Sequence, residues 1–205
     1  TGLERRFAVK VLLGGMLGDE DAVKRFQLEA AVASKIDDPG IVTVFDTGVD
    51  AGRYYYVMEY CPGQTLEARL AKGALEPTEA ARIVLALART MQAAHDRGVI
   101  HRDLKPANVI LEEGTERPRV MDFGVARDPT LLRSLSRTGQ LLGTPVYMAP
   151  EQLLGERDID ARADVYSLGV ILYELASGKR PHTAPTTILL AERVSHEDAA
   201  PLRSG

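Results

Sequence analysis

The chain has 205 residues, 45% apolar and 26% charged, with a formal net charge of −4, a composition ordinary for a globular chain able to bury one large core or two small lobes. The negative balance argues against a surface built for nucleic acid. The single cysteine, Cys61, excludes an internal disulfide and fits a reducing cytosol, and no apolar run approaches the roughly 18 residues of a membrane span. No signal-peptide pattern opens the chain, and no internal repeat or low-complexity linker interrupts it.

Residues 7–13, Phe-Ala-Val-Lys-Val-Leu-Leu, predict a strand. Lys10 interrupts its apolar run, and burying that ammonium is costly unless a partner waits; a lysine on an edge strand is the plainer alternative. Gly14, Gly15 and Gly18 read as a flexible strand-to-helix connection, because the spacing G-G-x-x-G is wrong for a phosphate-binding loop. Asp19 as N-cap, with Glu20 and Asp21 in the first turn, predicts a helix to about Lys35, stopped by Asp37-Asp38-Pro39-Gly40. Phe26, Ala30 and Ala33 mark one face of it, and Glu29 lies beside that face. Residues 41–47 and 54–60 predict two strands joined by a turn at Asp50-Ala51-Gly52, and Cys61-Pro62-Gly63-Gln64 is a breaker cluster at a lobe boundary.

A short helix follows at 65–72, then a longer one over 79–97 capped by Thr78. In it Ile83, Leu87 and Met91 recur every four residues with Val84 and Ala88 beside them, a buried stripe, and Gly98 is its stop. Next comes His101-Arg102-Asp103-Leu104-Lys105-Pro106-Ala107-Asn108. Residues 109–111 and 118–121 predict a hairpin around Gly114 whose second arm leads into Asp122-Phe123-Gly124. The polar stretch 125–143 carries Ser134, Ser136 and Thr138 and ends in Gly143-Thr144-Pro145-Val146-Tyr147-Met148-Ala149-Pro150-Glu151. Residues 164–178 are apolar nearly all round and predict a central helix that Asp164 opens and Gly178 closes; a last helix pattern falls at 185–195.

H-R-D-L-K-P-A-N, followed at the right distance by D-F-G, resembles the catalytic loop and metal-binding motif of protein kinases. A-V-K at 8–10 and G-T-P-V-Y-M-A-P-E at 143–151 resemble that family's phosphate-holding lysine and the end of its activation segment. Each motif alone is a common turn; all of them in order are specific. The wording A-H-D-R-G-V-I-H-R-D-L-K-P-A-N-V-I-L is similar to bacterial Hanks-type (eukaryotic-like) serine/threonine kinases, and the resemblance runs from Phe7 to about Val194.

The resemblance implies an α+β, two-lobed kinase fold: residues 1–60 a β-rich N-lobe with its first strands missing, 61–64 the hinge, and 65–205 a mainly helical C-lobe with its last helices missing. The implied reaction is transfer of the ATP γ-phosphoryl group to serine or threonine hydroxyls of protein substrates, in signalling, with ATP and Mg2+ (or Mn2+) as cofactors. Phosphoryl transfer needs the nucleophile in line, the charge neutralised and the metal fixed. Asp103 would accept the hydroxyl proton, Lys105 would set a positive charge near the transferred group, and Thr144 would help seat the hydroxyl. Asn108 and Asp122 would supply hard oxygen ligands to the metal. Lys10 would hold the α- and β-phosphates and pair with Glu29, answering its burial cost. Ala8 and Ile110 would enclose adenine, with Met58 as gatekeeper, Glu59 and Cys61 presenting backbone groups to it, and Thr65 near the ribose. Asp164 resembles the aspartate that braces the catalytic-loop backbone. Autophosphorylation is expected at Ser136 or Thr138, with Arg102 as the phosphate's partner. The expected location is cytoplasmic, with any anchor outside this segment. The other class of reading is a pseudokinase or kinase fragment acting by binding. The absence of a glycine lid upstream of Lys10 favours it, and the presence of Lys10, Asp103, Asn108 and Asp122 argues against it.

Overall fold

The computed structural model describes residues 6–12, 34–123, 145–156 and 158–202, and positions 23, 24, 26, 27, 30 and 31. In the first sheet, β1 (Phe7–Val11), β2 (Val44–Asp50) and β3 (Arg53–Glu59) lie antiparallel in the order β1-β3-β2. The strand period of two sorts β1 cleanly: Ala8 and Lys10 are half-buried on one face, while Phe7, Val9 and Val11 are exposed on the other. Lys10 stands opposite Tyr56 in the register with β3. Positions 23, 24, 26, 27, 30 and 31 are helical, and Phe26 and Ala30 are buried as the sequence pattern predicts; Asp19, Glu29 and Ala33 lie outside the described residues.

The strand expected at 41–47 begins three residues later. Ile41 and Val42 are apolar for another reason: they are buried against the second sheet. Ile41 forms a parallel bridge with Val120, the Val42 amide donates to the Val120 carbonyl at 2.9 Å, and the Val120 amide donates to Gly40 at 2.7 Å. That second sheet is β4 (Gly63–Thr65), β5 (Val109–Glu112) and β6 (Pro118–Val120), antiparallel in that order. The hairpin β5–β6 follows the prediction. The three-residue β4 was unforeseen, since Gly63 belongs to the breaker cluster. Glycine is required there: φ is 148°, and a Cβ would stand 2.0 Å from the Leu111 carbonyl oxygen.

Helix α1 (Leu66–Leu70) is capped by Thr65, whose hydroxyl accepts from the Ala68 amide at 3.1 Å. The long α2 spans Pro77–His95 and so starts earlier than expected; Thr78 is not its cap, because Pro77 takes the first helical position, where its missing N–H costs nothing. Beyond the short α3 (Pro150–Leu153), α4 (Arg162–Ser177) ends at Gly178 with φ 69°, the left-handed stop that glycine supplies. It packs on α2, burying Ile171 and Leu175 against the stripe Ile83, Leu87 and Met91. The residues of α4 are apolar nearly all round, as expected, but among the described residues only one side is covered: Val165 and Leu172 on the other side are exposed. The final helix, α5 (Thr187–His196), is capped by Thr186. Among the described residues no helix is long and apolar enough to cross a membrane.

Candidate active site

The loop 101–108 is built around a buried carboxylate. Asp164, in the first turn of α4, is fully buried. Its Oδ2 accepts from the His101 amide at 2.8 Å and from His95 Nε2 at 2.7 Å; its Oδ1 accepts from the Arg102 amide at 2.9 Å. Three donors offset the desolvation of one charge. Arg102 needs that grip, since its φ of 63° lies in the left-handed region that non-glycine residues seldom enter. On its other side the Gln152 side chain donates to the Arg102 carbonyl at 2.8 Å and accepts from the Ala149 amide at 3.0 Å. The loop is thus clamped between α4 and α3.

Past the clamp the chain turns through a 3-10 turn at Pro106–Asn108 that brings its polar side chains together. Lys105 Nζ lies 2.9 Å from Asp103 Oδ2. Asn108 Nδ2 donates to the Asp103 carbonyl at 2.9 Å and to its Oδ2 at 3.3 Å. Spending the amide nitrogen this way leaves the Asn108 amide oxygen without a hydrogen-bond partner among the described residues. The Met121 amide donates to the Asn108 carbonyl at 3.0 Å, tying this loop to the entrance of the next motif.

Asp122 follows with φ 60°, also left-handed. Its Oδ1 takes Lys10 Nζ at 2.8 Å and the Tyr56 hydroxyl at 2.9 Å. Its Oδ2 has no hydrogen-bond or ion-pair partner among the described residues. Phe123 turns inward and is buried, its ring 4.7 Å from that of His101. The His101 ring is itself buried; it accepts from the Asp103 amide at Nδ1 and donates from Nε2 to the Met121 carbonyl, each at 3.2 Å. Burial holds its pKa below the usual histidine value, against the pull of Asp164 and Asp103.

The cleft beneath the first sheet is lined by Val42, Val44, Tyr56, Met58, Met121, Asp122 and Phe123. Ala8 stands opposite Met58 across β1 and β3, and Ile110 stands opposite Thr65 across β5 and β4. Cys61 is half-buried in the linker between the two parts, and burial raises its thiol pKa. The Glu59 carboxylate is engaged by Arg119 from β6. Thr65 spends its oxygen on the cap of α1. Glu29, Thr144, Ser136 and Thr138 lie outside the described residues.

Three residues of this site escaped the reading of the sequence. His95 continues the four-residue stripe Ile83, Leu87, Met91, and a histidine at the end of an apolar stripe was a usable signal. Tyr56 shares a strand face with Met58 by the period of two, but nothing local says that its hydroxyl meets Asp122. Gln152 lies three residues past Ala149, the spacing of a side chain that reaches back over a helix start.

A small antiparallel sheet joined through one linker to a helical body, with an acid, an amine and an amide on a loop between them, is a two-lobed kinase architecture. Residues 2–199 match the family described as the protein kinase domain, and the chain belongs to that family. It is 39% identical over 204 residues to the serine/threonine-protein kinase PknB of Mycobacterium leprae, an alignment that covers 97% of this chain and 32% of that protein. It is 37% identical over 206 residues to the serine/threonine-protein kinase pkn2 of Myxococcus xanthus, covering 98% of this chain and 24% of that one. The chain therefore spans about a quarter to a third of the length of the curated relatives it matches. These are bacterial proteins, as the wording of the loop had suggested.

Proposed function

We propose that this chain is the phosphoryl-transfer domain of a serine/threonine protein kinase, moving the γ-phosphoryl group of ATP to a hydroxyl of a protein substrate. The observation that carries the reading is Asp103. Its carboxylate is held by Lys105 and Asn108 on a loop whose backbone is locked to a buried acid. In the step itself the substrate hydroxyl oxygen bonds to the γ-phosphorus as the bond to the β–γ bridging oxygen breaks. ADP leaves, and the hydroxyl proton passes to Asp103. Lys105, already beside that carboxylate, sets positive charge where the phosphoryl group crosses. Lys10 reaches the α- and β-phosphates from β1; Ala8, Met58 and Ile110 enclose the adenine, and the linker backbone at Glu59 and Cys61 meets its edge.

The family uses a divalent metal, and the side chains fit one. Among the described residues no three acids, histidines or cysteines cluster as a metal cage. Magnesium, however, is commonly held by one or two carboxylates together with substrate phosphates. Asp122 Oδ2 and the Asn108 amide oxygen, both hard donors without partners among the described residues, would hold Mg2+. When bound, the ion supplies charge neutralisation on the phosphates.

Asp103→Asn in the full-length protein tests the reading. Turnover should fall by about a hundredfold or more, while affinity for Mg-ATP stays near that of the parent, because Asp103 faces the nucleophile and not the nucleotide. Comparable turnover would remove Asp103 from the mechanism. Regulation by phosphate on Ser136 or Thr138 is supported by Arg102, whose Nε is buried with no hydrogen-bond partner among the described residues. Mass spectrometry of the active protein should find phosphate at one of the two, and full activity without it would defeat this part.

A further inference from the structure

Tyr56 is a buried phenol in the middle of β3, 2% exposed, and its ring packs on Phe26 with centroids 4.9 Å apart. An apolar side chain would fill that volume at lower cost, since a buried hydroxyl must find a partner. Among the described residues the partner it finds is Asp122 Oδ1, at 2.9 Å. Lys10, opposite Tyr56 in the register and 5.5 Å from its ring centroid, donates to the same oxygen at 2.8 Å. The two donors share Oδ1, and Oδ2 has no partner among the described residues.

Resting on the functional reading above, we infer that Tyr56 is a positioning residue for the metal ligand Asp122. When ATP draws Lys10 to its phosphates, the Tyr56 hydroxyl stays on Oδ1. It holds the carboxylate in the rotamer that presents Oδ2 to the ion. The left-handed backbone of Asp122, with φ 60°, makes such a hold useful, because the main chain at that point is already in a sparsely populated conformation.

Tyr56→Phe removes the hydroxyl and keeps the ring against Phe26. In the full-length protein, binding of a fluorescent ATP analogue is titrated with MgCl2, and repeated in EDTA. The variant should need about tenfold more Mg2+ for half-maximal binding, as when a hydrogen bond behind a metal ligand is lost. Its nucleotide affinity in EDTA and its thermal midpoint should match the parent. Laid on Asp122→Asn, the same substitution should add no further loss, because its effect runs through that carboxylate. Superimposable Mg2+ curves from a metal-dependent parent overturn the role of Tyr56 alone. So does a fall in thermal midpoint without a shift in the Mg2+ curve, or an added loss on the Asp122→Asn background. A parent protein whose nucleotide binding ignores Mg2+ overturns the functional reading as well.

Discussion

At His101 two hydrogen bonds define the state of one ring. The Asp103 amide donates to Nδ1, so Nδ1 carries a lone pair, and the hydrogen sits on Nε2 facing the Met121 carbonyl. That is the neutral form, which burial also favours by holding the pKa below 6.5. Because the folded pKa is depressed, the stability this ring contributes is complete above the unfolded value and lost as pH falls toward the folded one. Below about pH 6.5 the unfolded chain takes up a proton that the folded chain resists, costing up to about 1.4 kcal/mol per pH unit. Urea unfolding from about pH 7.5 down to about pH 5 should show that decline, and His101→Gln should flatten it. Equal slopes in the two proteins would mean that the proton is taken up elsewhere. The ring is also where loop and core meet: it supports the Asp103 amide and packs on Phe123, so protonation would loosen the residue proposed to orient the nucleophile.

The sheet and the helical body are joined by more than their linker. Arg119 of β6, almost wholly buried, binds the Glu59 carboxylate of β3 and donates to the Ile41 carbonyl at 3.0 Å. Beside it run the Val42–Val120 and Val120–Gly40 backbone bonds. The guanidinium thus serves two elements that precede the linker from Nη2 while its Nη1 lies 3.7 Å from Glu112 of β5, a spread of donors that an ammonium cannot copy. Arg119→Leu should lower stability by about 2 kcal/mol, less than for a fully buried pair because Glu59 keeps some access to water. Arg119→Lys should recover little of it. Denaturant unfolding checks both, and a leucine variant within about 0.5 kcal/mol of the parent would make the contact ornamental. A comparable tie anchors residues 145–147 on α4. The Tyr147 hydroxyl donates to Glu174, Arg180 pairs with Glu174 at 3.0 Å, and the Ser167 hydroxyl donates to the Tyr147 carbonyl at 2.8 Å.

For the whole molecule, the sequence by itself determined what short-range pattern can carry. Asp103, Lys105 and Asn108 lie within six residues on one loop, so spacing alone was enough to bring them together. The long stripe of α2, the hairpin β5–β6 and the glycine stop of α4 were legible for the same reason: period and turn chemistry act over a few residues. Tertiary structure decided the rest. Ile41 and Val42 look like strand residues from their side chains alone, but the neighbour that pairs with them, Val120, is almost 80 residues away. Thr78 looks like a cap until Pro77 takes the first turn. Val165 and Leu172 are as apolar as Ile171, and only the placement of α2 decides which side of α4 is buried. Asp164 was recognised from a resemblance, yet the partners that justify a buried carboxylate, His95 and the amides of His101 and Arg102, lie more than 60 residues before it. Tyr56 is the clearest case. Its strand and its face follow from local pattern, but the partner of its hydroxyl lies 66 residues on. A hydrogen bond across that distance exists only after two sheets and a loop have packed together, and no window of sequence contains it.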